Sequence, residues 1–236
     1  MTGDEENMKT LRVLLSAAVF MLISFLSLFA GKTEHWGEYG LKYNFNKNWQ
    51  LMTDYQMRVR DDIQDYYWWR FEIGPGVRIN KWLDVRVLYR NKSQEQKPGT
   101  WQVEKNLFID PTFKLYYKDK NTFDLCTRIH TRLGNVGREF IRVRPRLTHR
   151  FNIGSRKCNW YVYNDFWLQI SALGPRDRWN TNWFNTGFKW QICKNLDLTT
   201  FFQYRSDKLP ATGKWDHDPC IGTSVMLNID RIARHF

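Results

Sequence analysis

Residues 142–150 read RVRPRLTHR, with arginine at 142, 144, 146 and 150 and Val143, Pro145, Leu147 and His149 between them. A repeat of two puts alternate side chains on opposite faces of an extended chain. Two readings compete: a basic arm that grips phosphates, or a β-strand with one charged and one apolar face. The chain as a whole is basic, with 36 Lys+Arg against 24 Asp+Glu and a formal charge of +12, which alone points to an anionic partner. Its aromatic share of 17%, from 12 Trp, 11 Tyr and 16 Phe, is far more than a nucleic-acid arm needs. Aromatic residues concentrate in strands and at membrane–water boundaries.

The N-terminal sequence argues the same way. Residues 8–30, MKTLRVLLSAAVFMLISFLSLFA, run from a basic start (Lys9, Arg12) through an apolar stretch to the small residue Ala30. This is the form of a secretory signal peptide, and residues 1–30 are assigned to one, with Met8 the alternative start because MTGDEEN is acidic. A membrane anchor is the competing reading, since the apolar stretch approaches a spanning length. No Cys follows it, which argues against a lipoprotein. An exported chain does not normally meet a genome, so nucleic acid is not expected as a partner.

From Trp36 onward one rhythm holds. Runs of alternating apolar and polar residues occupy 36–46, 49–60, 65–79, 82–92, 105–118, 122–133, 140–152, 158–171, 182–193, 195–206 and 219–230. Short connections (NKN, NKW, KDKN, GSRK, CKN) alternate with longer ones (DDIQD, KSQEQKPGTW, GNVGRE, ALGPRDRW, DKLPATGKWDHD). Repeated hairpins of this length, with tight turns on one side and long loops on the other, predict an all-β, antiparallel, up-and-down transmembrane barrel over 31–236. Single-chain bacterial barrels have even strand numbers, so ten to twelve strands are expected, with twelve favoured.

Sorted by parity, one face of these runs is mostly apolar, from Tyr39, Leu41 and Tyr43 in the first to Val225, Leu227 and Ile229 in the last, with Thr, three Pro, His149 and Asn164 in the gaps. No Asp, Glu, Lys or Arg falls on it. The charges collect on the other face. Its arginines are Arg58, Arg60, Arg70, Arg78, Arg86, Arg90, Arg128, Arg132, Arg142, Arg144, Arg146, Arg150 and Arg205, with Lys42, Lys114 and Lys189. Its acids are Glu38, Asp54, Glu72, Asp84, Asp110, Asp124, Asp165 and Asp197, giving 16 basic groups against 8 acidic. RVRPRLTHR is then a strand whose arginines face the lumen, because a charge at the midplane of a lipid face costs roughly 2–4 kcal/mol. Pro75, Pro111 and Pro145 recur in alternate runs on the outward face and predict a repeated bend.

The pattern resembles a family of small bacterial outer-membrane barrels called domain of unknown function 2490. The resemblance rests on WGEYGLKYNFNKNWQLMTDYQMRVRDD, RIHTRLGN…FIRVRPRLTHRFN, YVYNDFWLQIS and FNTGFKWQICKNLDLTTFFQYR, and covers nearly the whole chain after residue 30. It implies an outer-membrane location and no catalytic residue. Asp165 stands where the family commonly has Glu, and Phe236 looks like the terminal aromatic read by the barrel assembly machinery.

Three functions follow as expectations. The surplus of arginine over acid favours a narrow anion-preferring channel for small anionic solutes, with Arg58, Arg60, Arg70, Arg86, Arg90, Arg128, Arg132, Arg142, Arg144, Arg146 and Arg150 facing the anion. Asp54, Glu72, Asp84, Asp110, Asp124 and Asp165 are their acidic partners. The first alternative is a closed structural, adhesion or assembly barrel, its lumen filled by those ion pairs and by Trp68, Tyr116, Tyr161, Tyr163 and Trp167. The second is an outer-membrane lipid-modifying enzyme, for which His130 is the one strand histidine facing inward. No His or Cys spacing suits a metal, and no cofactor is implied. Cys158 and Cys193 end neighbouring strands at the same barrel rim and are a candidate disulfide. The long loops, with mixed charge, would meet outer-membrane lipid and lipopolysaccharide.

Overall fold

A computed structural model describes residues 34–60, 65–134, 139–170, 179–208 and 213–229. The expected signal peptide and the terminal Phe236 lie outside them. Eleven strands follow in order: β1 (Glu34–Asn44), β2 (Trp49–Arg60), β3 (Asp65–Arg78), β4 (Leu83–Lys97), β5 (Thr100–Lys118), β6 (Asn121–Arg132), β7 (Phe140–Ile153), β8 (Arg156–Gln169), β9 (Trp179–Cys193), β10 (Leu196–Lys208) and β11 (Trp215–Asn228). Each pairs antiparallel with its chain neighbours, and β1 pairs with β11 to close the barrel.

The count of eleven corrects the favoured twelve. In an up-and-down sheet with an odd strand number the first and last strands run the same way. They can close only as a parallel pair, here from Glu34↔Cys220 to Lys42↔Asn228. Parallel bonds are slanted and slightly weaker per residue, but closure removes both sheet edges. Even parity is therefore not needed to satisfy the backbone.

The strands keep the alternation read from sequence, with one large difference. KSQEQKPGTW is not a loop. β4 and β5 stay paired to Lys97↔Thr100, through Lys92↔Glu104 and Gln94↔Gln102, and turn at Pro98 and Gly99. Gly99 has φ +77°, and its N–H donates to the Glu95 carboxylate at 2.6 Å. Strand polarity on both faces hid this extension, because the backbone ladder does not require an apolar face.

The prolines mark a shared interruption. Each is paired on one side, as Leu51↔Pro75, Val85↔Pro111 and Leu125↔Pro145. On the other side the ladder skips: between Ile73↔Tyr89 and Gly76↔Arg86, between Ile109↔Ile129 and Thr112↔Cys126, and between Val143↔Phe166 and Arg146↔Tyr163. Proline has no N–H to give, so the bond that would hold the following strand is missing.

The outer face carries exposed apolar residues along the wall, among them Tyr55, Phe71, Val87, Ile109, Ile129, Leu147 and Phe184. The interior is the reverse of an ordinary core. Its buried side chains include Gln56, Arg58, Glu72, Arg90, Asn106, Asp110, Arg128, Arg142, Asp165 and Asn185, beside a few aromatics such as Trp36, Trp68, Phe108 and Phe201.

Two placements differ from expectation. Tyr116 is exposed and not in the lumen, because the β5–β6 register shifts between Lys114 and Tyr116. Cys158 is opposite Trp190, whereas Cys193 lies by the β9–β10 turn opposite Leu196, and both are free thiols. Three residues of strand separate the two positions by roughly 10 Å, beyond the reach of a disulfide.

Gly74 stands at the first proline gap, where a Cβ would lie 1.9 Å from the Val87 carbonyl oxygen. Gly74→Val is expected to lower stability by about 1–3 kcal/mol, read as an earlier urea midpoint of the refolded barrel, with Gly99→Asn, at an open turn whose positive φ asparagine tolerates, costing less.

Candidate anion-facing lumen

Each inward arginine is placed by strand parity, and cross-strand register decides which acid it meets. Two bridges are bidentate. Arg128 on β6 donates from Nε and Nη2 to Asp110 on β5 at 2.6 Å each. Arg144 on β7 donates from Nε and Nη2 to Asp165 on β8 at 2.6 and 2.5 Å. Both bridges cross the ladder gaps beside Pro111 and Pro145. Paired side chains thus join the strands where backbone bonds are missing.

The other acids are shared among several cations. Glu72 accepts from Arg90 and lies 3.5 Å from both Arg70 and Arg128. Arg70 reaches on to Asp54 at 3.2 Å and Glu38 at 3.4 Å. Arg86 adds a 3.3 Å contact to Asp110, and Arg146 meets Asp124 at 2.8 Å. Near the short turns Asp84 takes Lys114 at 2.7 Å and Arg78 at 3.5 Å. Arg132 pairs with Glu104, while Arg60 pairs with Asp65 at 2.5 Å on the long-loop rim. All six expected acids therefore hold basic partners. Buried acids and arginines need such partners, because desolvation otherwise favours their neutral forms or an unfolded chain.

Arg58 is held differently. Its guanidinium carbon lies 3.7 Å from the ring centroids of both Trp36 and Trp68. A planar, weakly hydrated cation suits this sandwich, where a lysine would not. Trp36 meets Trp183 and Phe201 edge-on at 6.2 Å, and Trp183 meets Trp167 at 5.7 Å. These side chains fill the long-loop half of the lumen.

Below them is a cavity of 540 Å³, lined among others by Met52, Arg86, Arg142, Arg144, Arg146, Arg150, Tyr161, Tyr163, Lys189 and Met226. Exposure rises along it. The side chains of Arg128 and Arg142 are 5% and 7% exposed, against 42% for Arg146 and 41% for Lys189 nearer the short turns. Trp36, Arg58, Trp167, Trp183 and Phe201 line its long-loop end, and the half-exposed Arg146 and Lys189 line it towards the short turns. Arg150, towards the short turns, donates to the Tyr117 hydroxyl at 2.5 Å.

His130 is buried between Phe108 and Phe140, with Nε2 2.5 Å from the Asn106 side-chain oxygen. No serine or carboxylate hydrogen-bonds to it among the described residues. Sequence reading missed several lumen groups. Glu104 lay in the supposed loop, and Glu34, whose carboxylate takes Arg205 at 2.7 Å, preceded the first run. Trp36, Trp183 and Phe201 carried no charge to flag them, although the parity of Trp36 already turned it inward.

Asp165 is fully buried and supports two arginines. Asp165→Asn is expected to cost about 3–5 kcal/mol, because Arg144 is left buried without its bidentate acceptor. Asp84→Asn, at a carboxylate 31% exposed, should cost below about 1 kcal/mol. Urea unfolding of the refolded barrel, followed by heat-modifiable mobility, checks the contrast.

No curated protein matches this chain, and no solved structure does. A family model described as protein of unknown function (DUF2490) matches residues 33–216, which takes in every strand from β1 to β10 and the start of β11. The chain belongs to that family.

Proposed function

We propose that this is a bacterial outer-membrane barrel whose lumen is a basic, one-ended vestibule for small anions, entered from the short-turn, periplasmic end. The observation that carries the reading is the gradient along the lumen: stacked Arg58 and tryptophans at the long-loop end, increasingly exposed arginines towards the other. The membrane part is supported by the apolar outer wall and by exposed aromatics at both rims. Trp49 and Trp82 lie near the short turns, and Tyr66, Trp101, Trp179 and Trp215 near the long loops.

Passage through the lumen requires the Trp36–Arg58–Trp68 stack to move. The channel function is therefore proposed as gated. In planar bilayers under a salt gradient the wild-type barrel should show few or no conductance steps. Arg58→Ala, which empties the stack, should give stable steps with an anion-selective reversal potential. Adding Arg146→Glu and Arg150→Glu should shift that potential towards cations. Frequent open steps in the wild type, or cation selectivity in Arg58→Ala, would overturn the reading.

The dense ion pairing favours a second reading, a closed scaffold for adhesion or assembly. Silence from both wild type and a well-folded Arg58→Ala barrel would select it.

A further inference from the structure

The arginines of β7 are not equivalent. Arg144 donates from two nitrogens to Asp165, and Arg146 from one to Asp124. Arg142 makes no hydrogen bond among the described residues, and its Nε is buried without a partner. Its nearest carboxylate oxygen, on Asp165 at 3.6 Å, is the one Arg144 Nε already occupies. The residue directly opposite it on β6 is Arg128, and like charges opposed across a ladder repel. A buried cation with a repelling neighbour and no acceptor is costly, and such groups ask for an explanation.

The surroundings supply one. Arg86, Arg142 and Arg144 all line the same cavity. In this part of the wall four arginines (86, 128, 142 and 144) face Asp110 and Asp165, and Glu72, 3.5 Å from Arg128, is shared with Arg70 and Arg90. The arginines outnumber the carboxylates that face them, and the surplus positive charge suits an anion. Forked guanidinium groups suit tetrahedral oxyanions, which accept several N–H bonds in different directions, better than they suit a halide. The same cavity is lined by Arg142 and, nearer the short turns, by the more exposed Arg146 and Lys189.

We infer that Arg142, with Arg86 and Arg144, forms a phosphate-binding site at the inner end of the cavity, taking inorganic phosphate or a phosphate monoester. The inference deepens the vestibule reading and depends on it for access. It does not depend on conduction.

The test uses the refolded full-length barrel in zwitterionic detergent, with calorimetric titration and thermal unfolding read by tryptophan fluorescence. Inorganic phosphate should bind saturably and raise the melting temperature, while chloride and acetate at equal ionic strength should not. A methyl phosphate arm separates the sources. Binding comparable to phosphate means the site accepts a monoester, and loss of binding confines it to the free ion. Arg142→Gln should weaken phosphate binding at least about tenfold. It should also leave the phosphate-free barrel as stable as the wild type or more so, since it removes an unpaired buried charge. A purely structural arginine would not give that pair of results. Arg142→Lys should recover part of the affinity. If Arg142→Gln does not refold, Arg86→Gln serves, at a side chain 29% exposed with one 3.3 Å contact to lose. No phosphate binding by wild type, or unchanged affinity in the folded variant, overturns the site. Failure of the vestibule reading is seen separately, as cation selectivity of Arg58→Ala in bilayers.

Discussion

The bridges from Arg128 to Asp110 and from Arg144 to Asp165 hold the wall where its backbone ladder is interrupted. Proline removes a donor at the same places, so the neighbouring strands lose the usual means of staying in register. A bidentate arginine–carboxylate pair is directional as well as strong, and it fixes both strands at one height. Asp110 is also shared with Arg86 of β4, and Glu72 joins Arg70, Arg90 and Arg128, so a belt of ion pairs runs from β3 to β6 with the β7–β8 bridge beside it. The interior is therefore organised by charge where an ordinary protein core is organised by apolar packing.

The belt also explains why the lumen is asymmetric. On its long-loop side the remaining space is filled by rings, and Arg58 is retained by stacking on Trp36 and Trp68 rather than by a carboxylate. On its short-turn side the acids become fewer and the basic side chains more exposed. Arg142 lies between, beside the belt by position and outside it by bonding. Charge surplus on the inward face is thus not spread evenly. It is concentrated where the cavity begins.

Closure with eleven strands follows from the same economy of bonds. An even barrel meets edge to edge as antiparallel neighbours, and an odd one must accept a parallel seam. The seam here joins Glu34–Lys42 to Cys220–Asn228, and Glu38 on one side receives the Ser224 hydroxyl from the other at 3.4 Å. What matters to the fold is that no edge stays open.

Period-two alternation determined the strands, their two faces and the inward direction of every arginine in RVRPRLTHR, because the pleat leaves no other choice. Lumen residues such as Asp110, Arg128, Arg144 and Asp165 were legible for the same reason. Partner choice was not, since parity gives a face but not a register. Only the tertiary structure decided that Arg144 takes Asp165 and leaves Arg142 without an acceptor. Only it placed Trp36 and Trp68 on either side of Arg58, from strands that do not adjoin. The β4–β5 extension and the strand number were also settled there, because a polar strand has no apolar signal and closure is a property of the whole sheet. Cys158 and Cys193 make the same point: sequence put both at one rim, and a register difference of three residues kept them apart.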